Sequence, residues 1–209
     1  VAEAVAKFGG TATHLTVKVT AVDVTPQVLE IMKIKPDFIT IYGVSNTAIL
    51  TMKALTQYGL NIPTFGITYL GAPQIFQSMG AQAAVNYKFI SCFTPGGVDQ
   101  TPGNKAMSAY ADSIGRADMK QDINYVAGWV TGQMATEALT KLGKNPTRAG
   151  LIESLSKGFT VNSQGLAAPF TYTASNNTGP VVFKLFGFDF AANKFKSYGD
   201  FADYEKYTR

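Results

Sequence analysis

Apolar and polar positions alternate over residues 13–20, where Leu15, Val17 and Val19 are separated by threonine and lysine. Period two of this kind predicts a strand with one buried face. Thr25-Pro26 then opens a predicted helix, with Thr25 as cap and Pro26 in the first helical position, and Pro36-Asp37 ends it. Residues 38–42 form a short apolar run of the kind a buried parallel strand shows, with residues 43–46 as the turn after it. From Thr47 to Tyr58 the apolar residues Ala48, Ile49, Met52 and Leu55 share one helical face, and Gly59 closes the helix.

The same succession repeats, with a strand over 64–70, a helix from Pro73 to near Gly80 and a strand over 87–93. Alternating β and α elements with short links predict a parallel, doubly wound sheet. Residues 94–104 hold two prolines and three glycines without apolar period, the composition of a crossover between lobes. Beyond it, a helix is predicted over 105–115 and a stronger one over 123–142, where Val126, Trp129, Val130, Ala138, Leu139 and Leu142 share a face. Asn145-Pro146-Thr147 caps one more helix through Ser156, and residues 159–177 read as loop. Residues 180–190 read as a long apolar strand that Asn193-Lys194 turns back into a strand over 195–198. The first eight residues, followed by Gly9-Gly10, read as the tail of an amphipathic helix, so an upstream part of the domain is expected.

With 209 residues, 46% of them hydrophobic, the chain can bury a sizeable core as one large domain or two small ones. A formal net charge of +4 is spread along the chain without a run of Lys or Arg, which argues against nucleic acid as a partner. The single cysteine, Cys92, excludes an intrachain disulfide and reads as a small buried hydrophobe. His14 falls on the polar phase of its strand, and one histidine leaves little material for a metal site. No segment is apolar for long enough to span a membrane, and no phosphate loop or nucleophile elbow occurs. No cofactor, metal or catalytic residue is therefore expected.

Three phrases in order carry a resemblance: residues 35–43, residues 53–63, and the long helix from Gly128-Trp129 to Ala138-Leu139. Together they resemble the type I periplasmic solute-binding proteins of the leucine/isoleucine/valine-binding family. The resemblance implies a two-lobed α/β fold with mostly parallel sheets, a cleft that closes on its ligand by a hinge, and no enzymatic activity. Residues 1–94 and 189–209 would form the second lobe, lacking its first strand, and residues 95–188 the C-terminal part of the first. Most of the first lobe, on the order of a hundred residues, would lie upstream of Val1. The implied partners are a small solute and an ABC transporter permease. The implied setting is bacterial and periplasmic or extracytoplasmic, with a signal peptide in the precursor.

The turn at Gly43, Val44, Ser45, Asn46 and Thr47 lies where a strand's carboxyl end meets a helix N-terminus, a place where open α/β sheets bind ligands. The resemblance implies ligand contacts here, from Thr68 and Tyr69 after the next strand, and from Asn124 and Tyr125 at the start of the long helix. Capping is the plainer role for Ser45 or Asn46, packing under the hinge for Tyr125, and core packing for Trp129. Amino-acid-binding members place a carboxylate near Thr68 to pair with the ligand's ammonium group, whereas residues 64–80 of this chain contain no acid. A buried ammonium without countercharge costs several kcal/mol, so a carboxylate or amide lacking a free ammonium group is expected ahead of an amino-acid-like solute. Two rival readings are a ligand-sensing regulator or receptor domain on the same fold, and a nucleotide-dependent α/β enzyme.

Overall fold

The computed structural model describes residues 2–203. A short helix α1 (Ala2–Ala6) leads into an extended stretch and then α2 (Thr25–Ile34), β1 (Ile39–Ile41), α3 (Ser45–Gln57) and β2 (Thr64–Gly66). A 3₁₀ turn (Thr68–Leu70), α4 (Pro73–Met79), α5 (Ala81–Ala84) and β3 (Tyr87–Ser91) complete this run. The chain then crosses to α6 (Pro102–Ser113), a second 3₁₀ turn (Ala117–Met119), α7 (Ile123–Leu142), α8 (Arg148–Ser156), β4 (Lys157–Thr160) and β5 (Thr171–Thr173). It returns as β6 (Val182–Asp189) and β7 (Lys194–Asp203).

One five-stranded sheet has the order β1-β2-β3-β6-β7, with the first three strands parallel and the last two antiparallel additions. Helices α2 to α5 cover one of its faces. Five rings fill the interior there: Phe76 meets Tyr87, Phe89, Phe188 and Phe195 at centroid distances of 5.2, 6.1, 5.6 and 5.4 Å. A second core joins Met107, Val126, Val130 and Ala138 to Phe159, Val161 and Leu166 around the two-stranded β4-β5 sheet. The two units are stitched where the chain crosses. Thr94 N–H donates to the Leu166 carbonyl at 2.8 Å, Ala168 N–H donates to the Cys92 carbonyl at 2.9 Å, and Phe93 bridges Ala167.

Several expectations are corrected. Residues 13–20 form no strand: Leu15 and Val17 lie half-buried against the core, as their alternation demands, but Val19 and Thr20 fall in a turn closed by Ala21 N–H on the Lys18 carbonyl, and no neighbouring strand among the described residues offers a ladder. The predicted strand over 64–70 stops at Gly66. A side chain at Gly66 would run into the Tyr87 hydroxyl, and the chain winds into the 3₁₀ turn that buries Leu70. Helix α2 begins at Thr25 itself, with Val24 in the cap position and the Asp23 carboxylate accepting from the Thr25 amide and hydroxyl. Helix α6 starts earlier than predicted because Thr101 caps it, its hydroxyl accepting from Asn104 N–H with Pro102 next in line. The stretch 159–177, read as loop, contains β5, which pairs with β4 through a Thr160–Thr171 hydroxyl contact of 2.8 Å. Strand β6 is an inner strand of the large sheet, pairing with β3 through Lys184 to Phe186 and with β7 from Val182 to Asp189.

Candidate functional site

Strands β1 and β2 are parallel neighbours with Ile41 opposite Gly66, so the segments leaving their carboxyl ends emerge side by side. The first carries Gly43 to Thr47, the second Thr68 and Tyr69. Helix α7 packs against the 3₁₀ turn, and its first residue, Ile123, is fully buried in the same core as Leu70. The fold therefore brings the three groups of expected ligand residues to one edge of the sheet, with Asn124 and Tyr125 contributed by the second unit.

Their side chains are occupied in ways the sequence did not disclose. Helix α3 begins at Ser45 with Val44 in the cap position, so neither Ser45 nor Asn46 caps it. The Asn46 carboxamide donates to the Ala21 carbonyl at 2.9 Å and ties down the preceding loop. Ser45 is exposed, and its hydroxyl makes no hydrogen bond among the described residues. The amides of Ser45, Asn46 and Thr47 precede the first intrahelical bond, from Ala48 N–H to the Val44 carbonyl, and so face outward at the positive end of a thirteen-residue helix. Gly43 lies close under Thr47, where a Cβ would stand 3.4 Å from its side chain.

The Thr68 hydroxyl donates to the Ile90 carbonyl at 3.1 Å, which leaves its oxygen lone pairs to accept. Tyr69 is 65% exposed. Asn124 gives both its backbone and side-chain N–H to Asp122 Oδ1, at 2.8 and 3.0 Å. Among the described residues the buried Tyr125 hydroxyl and the Trp129 indole N–H one turn on meet no acceptor, and Gln133 Oε1 a further turn on meets no donor. Trp129 packs on the second core and against Tyr110, the structural role expected of it.

One residue was missed: Tyr42, immediately after β1, is 90% exposed beside Gly43. With Val44 and Tyr69 it forms an uncovered apolar rim on the strand ends, an arrangement more informative than any single exposed side chain. Its signal in the sequence was an aromatic residue at the carboxyl end of the apolar run 38–42, next to the glycine of the turn. Elsewhere, a groove of about 600 Å³ is lined by Gln74, Gln77, Lys120, Gln121, Asn193 and Lys194 and by none of the expected ligand residues. Its polar lining is largely paired within the protein: Lys120 with Asp112, and Gln77 and Gln121 with Asn193. Among the described residues no cluster of acidic, histidine and cysteine side chains could hold a metal ion, and no helix is long and apolar enough to cross a membrane.

The same architecture occurs in solved structures. A branched-chain amino acid ABC transporter protein from Thermus thermophilus with bound valine superposes with a TM-score of 0.84 at 18% identity, covering 98% of this chain and 56% of that one. A fatty acid ABC transporter substrate-binding protein from Thermomonospora curvata gives 0.83 at 19% identity, covering 98% and 53%. A leucine-binding protein from Thermotoga maritima gives 0.75 at 15%, covering 93% and 53%. The chain thus spans about half the length of these relatives. No curated protein matches it at a significant level. The model of the family described as periplasmic binding protein matches residues 1–188, nine-tenths of the sequence, and the chain belongs to that family.

Proposed function

We propose that this chain captures a small solute for an ABC transporter outside the cytoplasm, without catalysing a reaction. The five-stranded unit and the α6–α8 unit act as the two lobes, with the division at the start of β6 in place of Asp189. The solute sits against the carboxyl ends of β1 and β2 and is covered by the start of α7. Contacts from both units are what allow a ligand to favour one arrangement of the lobes over another. A membrane permease is the proposed recipient.

The solute class follows from what lines this edge. Relatives of nearly equal likeness are described as binding valine and fatty acid, so the fold does not choose between them. The observation that carries the choice is chemical: outward-facing amides at the N-terminus of α3, the Ser45 hydroxyl and the apolar rim of Tyr42, Val44 and Tyr69, with no acid in residues 64–80. Amide N–H groups at a helix N-terminus hold carboxylate or carbonyl oxygens, and aromatic faces hold an apolar tail. An aromatic or aliphatic carboxylate, or an amide, fits this set. A second reading rests on Asp122, which stands beside Asn124 and could take a ligand's ammonium group on the oxygen that Asn124 leaves open.

A thermal-shift screen of the full-length polypeptide separates the two. The panel is leucine, valine, phenylacetate, benzoate, isobutyrate and propionamide. A specific solute at about a hundred times its Kd adds roughly 2.7 kcal/mol of stability. Stabilisation by a carboxylate or amide, weakened in Ser45→Ala and Tyr125→Phe, is the expected outcome. Stabilisation by leucine or valine that Asp122→Asn abolishes establishes the second reading, and no response to any solute class removes both.

A further inference from the structure

Between the second 3₁₀ turn and α7, Gln121 reaches from one unit to the other. Its carboxamide N–H donates to the Asn193 carbonyl at 3.1 Å, and its carboxamide oxygen accepts from Phe195 N–H at 3.2 Å. Asn193 lies in the β6–β7 turn and Phe195 at the start of β7, both more than seventy positions away. Two opposed bonds on one planar group fix position and orientation together. The turn they grip is itself held. Asn193 sits in the left-handed region at φ 48, Gln77 of α4 donates to its side-chain oxygen at 3.3 Å, and Asp189 accepts from Ala191 N–H and Ala192 N–H.

The next four residues carry the consequence. Asp122 caps α7 and takes both N–H groups of Asn124, Ile123 is fully buried in the core of the five-stranded unit, Asn124 is exposed, and Tyr125 packs on the second core. Lys120, immediately before Gln121, lies so close to the crossover that its carbonyl would be struck by any side chain at Gly96. The first turn of α7 is thereby anchored to the sheet that supplies the other half of the site, although the rest of α7 belongs to the second core.

We infer that Gln121 is a positioning residue for the solute site: it touches no solute, and its paired bonds to the β6–β7 turn set where Asn124 and Tyr125 stand relative to Thr68 and Tyr69. This rests on the proposed binding site for its purpose, but the mechanical part can be tested without any solute. Phe195 is buried, so an apolar residue at 121 leaves its amide without a partner and releases the anchor.

The experiment is amide hydrogen exchange on the full-length polypeptide as wild type, Gln121→Met, which keeps length and loses both bonds, and Gln121→Glu, which keeps the acceptor for Phe195 N–H. The expected result for Gln121→Met is exchange about tenfold faster within residues 124–126, at the Asn124 and Val126 amides whose N–H groups Asp122 accepts, with residues 130–138 in the middle of α7 unchanged. Gln121→Glu falls between the two, and it serves alone if the methionine variant does not fold. In parallel, the panel solute that stabilises the wild type most should bind Gln121→Met about tenfold more weakly. Unchanged exchange at residues 124–126 in a variant whose Phe195 amide has lost protection overturns the inference, as does faster exchange there with unaltered solute affinity. If no panel solute binds the wild type, the functional reading fails, and the exchange result alone decides whether Gln121 anchors α7.

Discussion

At the scale of single residues, the structure separates polar groups that are spent from those that are available. Asn46, Thr68 and Asn124 were equivalent candidates by residue type, but each directs an N–H or O–H to a protein acceptor, whereas the Ser45 hydroxyl does not. Cys92 shows the opposite correspondence, since its place in an apolar run already indicated burial. Burial pushes its thiol up to about 11, above the ordinary value of 9.0. The folded state therefore holds the Cys92 proton more tightly than the unfolded chain. Its contribution to stability is fully present below about pH 9 and is lost as pH rises through 11. Native protein at pH 8 should resist alkylation by iodoacetamide and react only after denaturant is added; rapid labelling of the native form would show that the thiol is neither buried nor protonated as described.

Among the secondary elements, those with strong local signals were legible and those dependent on a neighbour were not. Helix α7 matches its predicted extent because apolar periodicity, the cap at Asp122 and Gly143 after its end are all local. Residues 13–20 carry as clear a period, yet a strand is defined by a partner, and none is present among the described residues. The short β4–β5 pair was invisible for a related reason, because three or four residues rich in threonine and glycine announce a loop until packing of Phe159 selects the strand. Phe76 sits where α4 meets β3, β6 and β7, touching four other rings. Phe76→Ala should destabilise the protein by about 3–5 kcal/mol, measured by urea unfolding, with a loss under about 1 kcal/mol showing that the ring cluster can collapse around the gap.

For the whole molecule, two cores and one continuous set of hydrogen bonds imply coupled units. Ile123 lies in the core opposite to that of the rest of its helix, and the segment 92–94 pairs with 166–168. Trp129, the single tryptophan, packs on the second core and on Tyr110 of α6, and so reports on that unit. Phe76→Ala, a change in the first core, should lower the unfolding midpoint seen by tryptophan fluorescence as much as that seen by far-ultraviolet circular dichroism. An unmoved fluorescence midpoint would mean that the units unfold independently.

The sequence by itself determined most of the succession of strands and helices, the α/β class, and the loops that leave the strand ends, because periodicity and turn chemistry act between residues a few positions apart. It also placed the candidate site at those loops, through the general geometry of parallel sheets and through family resemblance. Only the tertiary structure decided that β6 joins the first unit's sheet, that Tyr42 stands exposed on the rim, and that Gln121 grips a turn more than seventy residues away. Those outcomes depend on which surfaces meet, and glutamine, asparagine and threonine carry no mark in the sequence of the partner their hydrogen bonds will find.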